Sequence, residues 1–73
     1  MSLLAQRITA TLASTNGTLN AAQISDTIAH LSAQAGDTLD ASEISAIYER
    51  FSPRIHREED RVTFLNALQR PIN

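Results

Sequence analysis

The chain contains no cysteine. No disulfide or thiolate metal site can brace it, so its fold must rest on packing or on a partner subunit. Lysine is missing too, and all six basic residues are arginine. A coding sequence rich in G and C favours arginine and alanine codons, so this bias carries little functional weight. No apolar run approaches the ~20 residues that span a bilayer, and no membrane contact is expected. Met1-Ser2-Leu3-Leu4-Ala5 lacks the basic region and long apolar stretch of a secretory signal, and cytoplasmic residence is the expectation. Alternating Val/Ile/Thr runs are absent, which argues against strands.

The motifs of common chemistries are also missing. There is no Gly-rich phosphate loop, no HExxH and no GxSxG elbow. His30 and His56 lie far apart, with no metal-ligand spacing between them. Ser25, Asp26 and His30 share one helical stretch, but one helix surface rarely brings nucleophile, base and orienting group together. The expectation is a non-enzymatic protein with no catalytic residue, no cofactor and no metal ligand.

What is present is a repeated helix start. Asn16-Gly17-Thr18-Leu19-Asn20-Ala21-Ala22-Gln23-Ile24-Ser25 returns twenty residues on as Gly36-Asp37-Thr38-Leu39-Asp40-Ala41-Ser42-Glu43-Ile44-Ser45. Asn20 and Asp40 read as N-caps, whose side-chain oxygens accept from N–H groups the first turn leaves free. Gln23 and Glu43 stand at N3, where a side chain can reach back to the cap N–H and complete a capping box. Leu19 and Leu39 precede the caps, and Ile24 and Ile44 follow by four. Each pair forms a hydrophobic staple that sets the angle of entry. Gly17 and Gly36 suit left-handed residues closing the preceding helices. A third copy fails, because positions 58–60 read Glu-Glu-Asp where Thr-Leu-Asp would stand. The repetition is therefore reuse of one connector and not a solenoid, which needs at least three units.

At 73 residues and 42% apolar, the chain can form one small domain, residues 1–73, with a single core. A chain near this size buries only about 60% of its unfolded surface. Its net stability is on the order of 4–11 kcal/mol. Helical spacing predicts four helices. The first, about 2–13, is capped by Ser2 and carries Leu4, Ile8 and Leu12. The second, about 21–34, carries Ile24, Ile28, Leu31 and Ala35. The third, about 41–51, carries Ile44, Ile47, Tyr48 and Phe51, and Ser52-Pro53 interrupts it. Pro53 after Ser52 also suits the start of a new helical turn. The fourth, about 57–69, has Val62, Leu65 and Leu68 on one face with Phe64 adjacent, and Glu58, Glu59 and Asp60 complement its dipole. Short links favour antiparallel neighbours, so the fold class is an all-α, antiparallel helical bundle with tight turns.

Three surfaces invite a functional reading. The Gly-containing repeats resemble an EF-hand loop in outline, with Gly, an apolar residue and an acid in order. The register fails: aligning Gly17 puts Leu12 and Gln23 at the first and last ligand positions, so capping is the better account. The second surface is cationic. Residues 1–49 hold Arg7 against five carboxylates, a net −4, and residues 50–73 hold five arginines against three, a net +2. Arg50, Arg54, Arg57 and Arg61 fall at i, i+4, i+7 and i+11. On one continuous helix they would form a ridge able to grip phosphate or carboxylate, although Glu49, Glu58 and Glu59 stand beside it and Pro53 lies within it. The third is apolar: Leu3, Ile55, Phe64 and Ile72 look surplus to a minimal core and are candidates for partner contact.

A helix-turn-helix reading would make the third helix the reader of DNA, but its Glu43 and Glu49 oppose the phosphate backbone. The leading expectation is a protein-interaction module, an adaptor, inhibitor, regulator or accessory subunit that binds stoichiometrically. A small domain often completes its burial through a partner or a second copy of itself. The competing expectation is a small nucleic-acid-binding regulator using the Arg-rich surface at residues 50–61.

Overall fold

The computed structural model describes residues 2–70. The described residues form four α-helices and no strand: α1 (Leu3–Ser14), α2 (Ala21–Ala35), α3 (Ala41–Phe51) and α4 (Glu58–Gln69), with a 3-10 turn, Ser52–Arg54, running on from α3. The helix boundaries fall within a residue of those read from spacing and caps.

Each start has a local cause. Ser2 Oγ accepts from Ala5 N–H at 3.1 Å and opens α1. Asn20 Oδ1 accepts from Gln23 N–H at 3.1 Å and opens α2, forming the forward half of the expected box. At α3 the box is complete: Glu43 N–H donates to Asp40 Oδ1 at 2.8 Å and Asp40 N–H donates to Glu43 Oε1 at 3.1 Å. No side chain caps α4; Glu58, Glu59 and Asp60 in its first turn compensate the dipole instead.

The stops differ from one another. Gly36 closes α2 in the left-handed region, φ 63°, and its N–H donates to Ser32 O at 2.9 Å. Gly17, φ 78°, does not close α1. That helix ends at extended Thr15, and Gly17 turns the loop two residues later. At the end of α3, Pro53 sits at the start of the 3-10 turn, where its missing N–H is harmless.

The packed pairs are α1 with α2, α2 with α4, α4 with α3, and α3 with α1, so the helices close a circuit in the order α1–α2–α4–α3. Helices α2 and α3, though consecutive, are not one of these pairs. The most extensive pairing is α2 with α4. Leu4, Ile8, Ile28, Ile47, Ile55 and Phe64 are the largest fully buried side chains. Each contributes about 1.5–3 kcal/mol by leaving water.

Helix α4 is rotated from the phase read in the sequence. Its buried stripe is Phe64, Ala67 and Leu68, while Val62 is 52% exposed and Leu65 is half-buried. The apolar positions 62, 64, 65 and 68 allow two phases. The one adopted puts the larger phenyl group inside, stacked on Tyr48 with ring centroids 5.8 Å apart.

Candidate functional site

The arginine series does not form a ridge. Between α3 and α4 the chain passes through the 3-10 turn, and Ile55 (φ −109°, ψ 111°) and Arg57 (φ −96°, ψ 134°) are extended. The i, i+4, i+7, i+11 spacing therefore lies on no single helix, and each guanidinium has its own neighbours. Arg50 lies over the Phe51 ring, 5.2 Å from its centroid. Arg57 pairs with Glu59 in solvent, where an ion pair contributes little. Arg61 Nη1 donates to Ile55 O at 2.7 Å and holds the extended link against α4.

Arg54 is the most heavily engaged. Its Nη1 donates to Leu12 O at 3.2 Å, its Nε and Nη2 donate to Gly17 O at 3.2 and 2.9 Å, and Nη2 also donates to Thr15 O. Its own carbonyl accepts from Leu19 N–H at 3.2 Å. The last carbonyls of a helix have no partner within it and carry partial negative charge. The planar, five-donor guanidinium answers that need at the end of α1 and through the loop after it. Arg54 thus builds a corner of the fold and is not available as a free cation for phosphate.

The four apolar candidates separate in the same way. Phe64 and Ile55 are 0% and 1% exposed and belong to the core, so the expectation that they are surplus fails. Ile55 reaches the interior because the 3-10 turn ends just before it, and Phe64 because of the phase of α4. Leu3 is 59% exposed on α1. Ile72 lies outside the described residues.

Another set of apolar side chains takes their place. Ala41, Ile44, Ser45, Tyr48 and Glu49 of α3, with Leu65 and Gln69 of α4, line an open groove of about 350 Å³. Ile44, Tyr48 and Leu65 are half-buried there. The sequence holds a signal for this groove in its repeat. The first staple is covered, with Leu19 3% and Ile24 4% exposed, but its counterparts Leu39 and Ile44 are only half-buried. The partly covered apolar side chains packed on the core, Leu31, Ala35, Leu39, Ile44 and Tyr48, all fall between residues 31 and 48. The cause is topological: α1 and α2 pack together across the first repeat, whereas α2 and α3 are not a packed pair across the second.

Two of the remaining carboxylates are engaged with backbone N–H groups. Glu43, 8% exposed, is the one buried charged residue among the described residues. One oxygen completes the α3 box, and the other accepts from Ser2 N–H at 2.6 Å. The Ser2 and Asp40 N–H groups hold its carboxyl below the usual glutamate value, against burial, which acts the other way. Asp37 Oδ1 accepts from Thr38 N–H at 2.8 Å. His30 and His56 are exposed on separate elements. Among the described residues no three His, Cys, Asp or Glu side chains gather as a metal site would need. No described helix is long and apolar enough to cross a membrane. Comparison with protein-family models, with curated proteins and with solved structures finds no match for this chain.

Proposed function

We propose that the protein is a non-enzymatic interaction module that binds a protein partner in fixed stoichiometry. The observation that supports this reading is the groove between α3 and α4. It presents Ile44, Tyr48 and Leu65 together on a chain with few apolar residues to spare. Exposed apolar side chains scattered singly need no explanation, whereas these three share one open groove. Such a groove suits an amphipathic helix laid along it. The nucleic-acid reading loses its main support, since Arg54 and Arg61 are occupied by backbone carbonyls and Arg57 faces Glu59.

Light scattering after size exclusion at micromolar concentration, with and without duplex DNA and with lysate fractions from the source cell, tests this reading. The expected result is no change of mass with DNA and a defined complex with a protein, lost when Leu65 is replaced by Glu. A DNA complex that weakens steeply with salt would overturn it.

A further inference from the structure

The first copy of the repeat opens on Asn16-Gly17, where the second has Gly36-Asp37. An asparagine followed by glycine can react with its own backbone, because no side chain on the next residue shields the attacking nitrogen. The fold leaves this pair free to do so. Both residues are exposed in the loop between α1 and α2. Among the described residues, neither the Asn16 amide nor the Gly17 N–H has a hydrogen-bond partner. A Cβ built on Gly17 would meet nothing within 4 Å, so the space beside its nitrogen is open. The other described asparagines are held. Asn20 Oδ1 accepts from Gln23 N–H, and Ala21 follows it. Asn66 lies within α4, with Ala67 after it.

We infer that Asn16 is a self-modification site whose isoaspartyl product releases the corner held by Arg54. The Gly17 nitrogen gives up its proton to solvent and bonds to the carbonyl carbon of the Asn16 side chain. The side-chain nitrogen leaves as ammonia, which closes a cyclic imide. Water then opens the ring at one of its two carbonyls. One opening gives aspartate. The other gives isoaspartate, in which the chain runs through the former side chain and gains a methylene. Both products add a negative charge, but only isoaspartate lengthens the backbone. Length matters at this position. Nη2 of Arg54 donates both to Thr15 O and to Gly17 O, on the two sides of residue 16. A single nitrogen fixes the separation of those oxygens, and an inserted methylene breaks the match. The Arg54 carbonyl in turn accepts from Leu19 N–H, so the loss reaches the residue before the α2 cap.

The test incubates the full chain at mildly alkaline pH and follows it by peptide mapping that separates aspartyl from isoaspartyl forms. Asn16 is expected to convert about tenfold or more faster than Asn66, whose next peptide must first leave α4. Asn16→Gln is expected to remove the reaction, since its longer side chain closes the smaller ring no more. Hydrogen exchange at the Leu19 amide reads the consequence. The purified isoaspartyl form is expected to lose protection there, to the level of Arg54→Ala. Asn16→Asp, which brings the charge without the methylene, is expected to keep it. In Arg54→Ala, conversion of Asn16 is expected to cost Leu19 no further protection. Conversion of Asn66 as fast as Asn16, or an Asn16 that stays intact while a free peptide of residues 12–20 converts, would overturn the site. Unchanged Leu19 protection in the isoaspartyl form, or an equal loss in Asn16→Asp, would overturn the release of the corner.

Discussion

Glu43 accepts a hydrogen bond from the backbone N–H of Ser2, 41 residues away in the chain, at 2.6 Å. The same carboxylate accepts from Asp40 N–H at 3.1 Å. One buried side chain therefore caps two helices, its own and α1, and ties their N-termini together. Replacing it by Ala strips two N–H groups of a charged acceptor at a site with little water. A hydrogen bond to a charged group is worth about 1.5–3 kcal/mol. Glu43→Ala should lose about 2–4 kcal/mol in urea unfolding, a large share of the stability a chain this size can have. Glu43→Gln should lose less, because its amide oxygen can keep one of the two bonds. A loss below about 0.5 kcal/mol for Glu43→Ala would refute the double cap.

The same contact makes stability depend on pH in one direction. The folded state holds the Glu43 carboxyl below its usual value of 4.5. Its contribution is complete above that value, falls as pH drops through the folded value and is absent below it. Urea midpoints measured from pH 6 to pH 2.5 should decline on the acid side, and Glu43→Gln should flatten that decline. An identical acid limb in the variant would remove Glu43 from the explanation.

Arg54 should behave as a structural residue. Arg54→Ala abandons the carbonyls of Leu12, Thr15 and Gly17, at a cost of about 1–3 kcal/mol for a partly solvated group. Arg54→Lys should recover little, because a single ammonium cannot span three carbonyls as a planar fork does. Hydrogen exchange offers a local check: the Leu19 amide, bonded to the Arg54 carbonyl at 3.2 Å, should exchange faster in both variants. Unchanged protection at Leu19 would argue against the tie.

The rotation of α4 is tested by two substitutions two residues apart. Phe64→Ala empties a fully buried site and should cost about 3–5 kcal/mol, a large share of the chain's stability. Val62→Ala, at a position 52% exposed, should change stability by no more than about 0.5 kcal/mol. Thermal melts of the two would show the reverse order if Val62 faced inward.

These particulars mark how far the residues could be read. The starts of α2 and α3 were legible because the cap and the staple are local, and the chain repeats them. The phase of α4 was not, because Val62, Phe64, Leu65 and Leu68 satisfy two faces and only tertiary packing chooses between them. The arginine series misled for a related reason. Helical spacing was carried across Pro53, where the chain turns through three residues and then extends. The role of Arg54 left no trace in spacing, since its partners lie 37 to 42 residues away. The groove was half visible: the second staple could be read, but its incomplete covering depends on α2 and α3 not packing as a pair.

The bond from Arg54 to the end of α1 has a bearing on how the molecule is assembled. The first two helices meet across a corner whose Leu12, Thr15 and Gly17 carbonyls are all reached by one residue that emerges from the ribosome some forty positions later. Without residue 54 the loop after α1 lacks those donors, and the Leu19 N–H lacks the carbonyl that accepts from it. A fragment ending before the proline should hold its coils only loosely, and the whole should lock in one step once the last third of the chain is made.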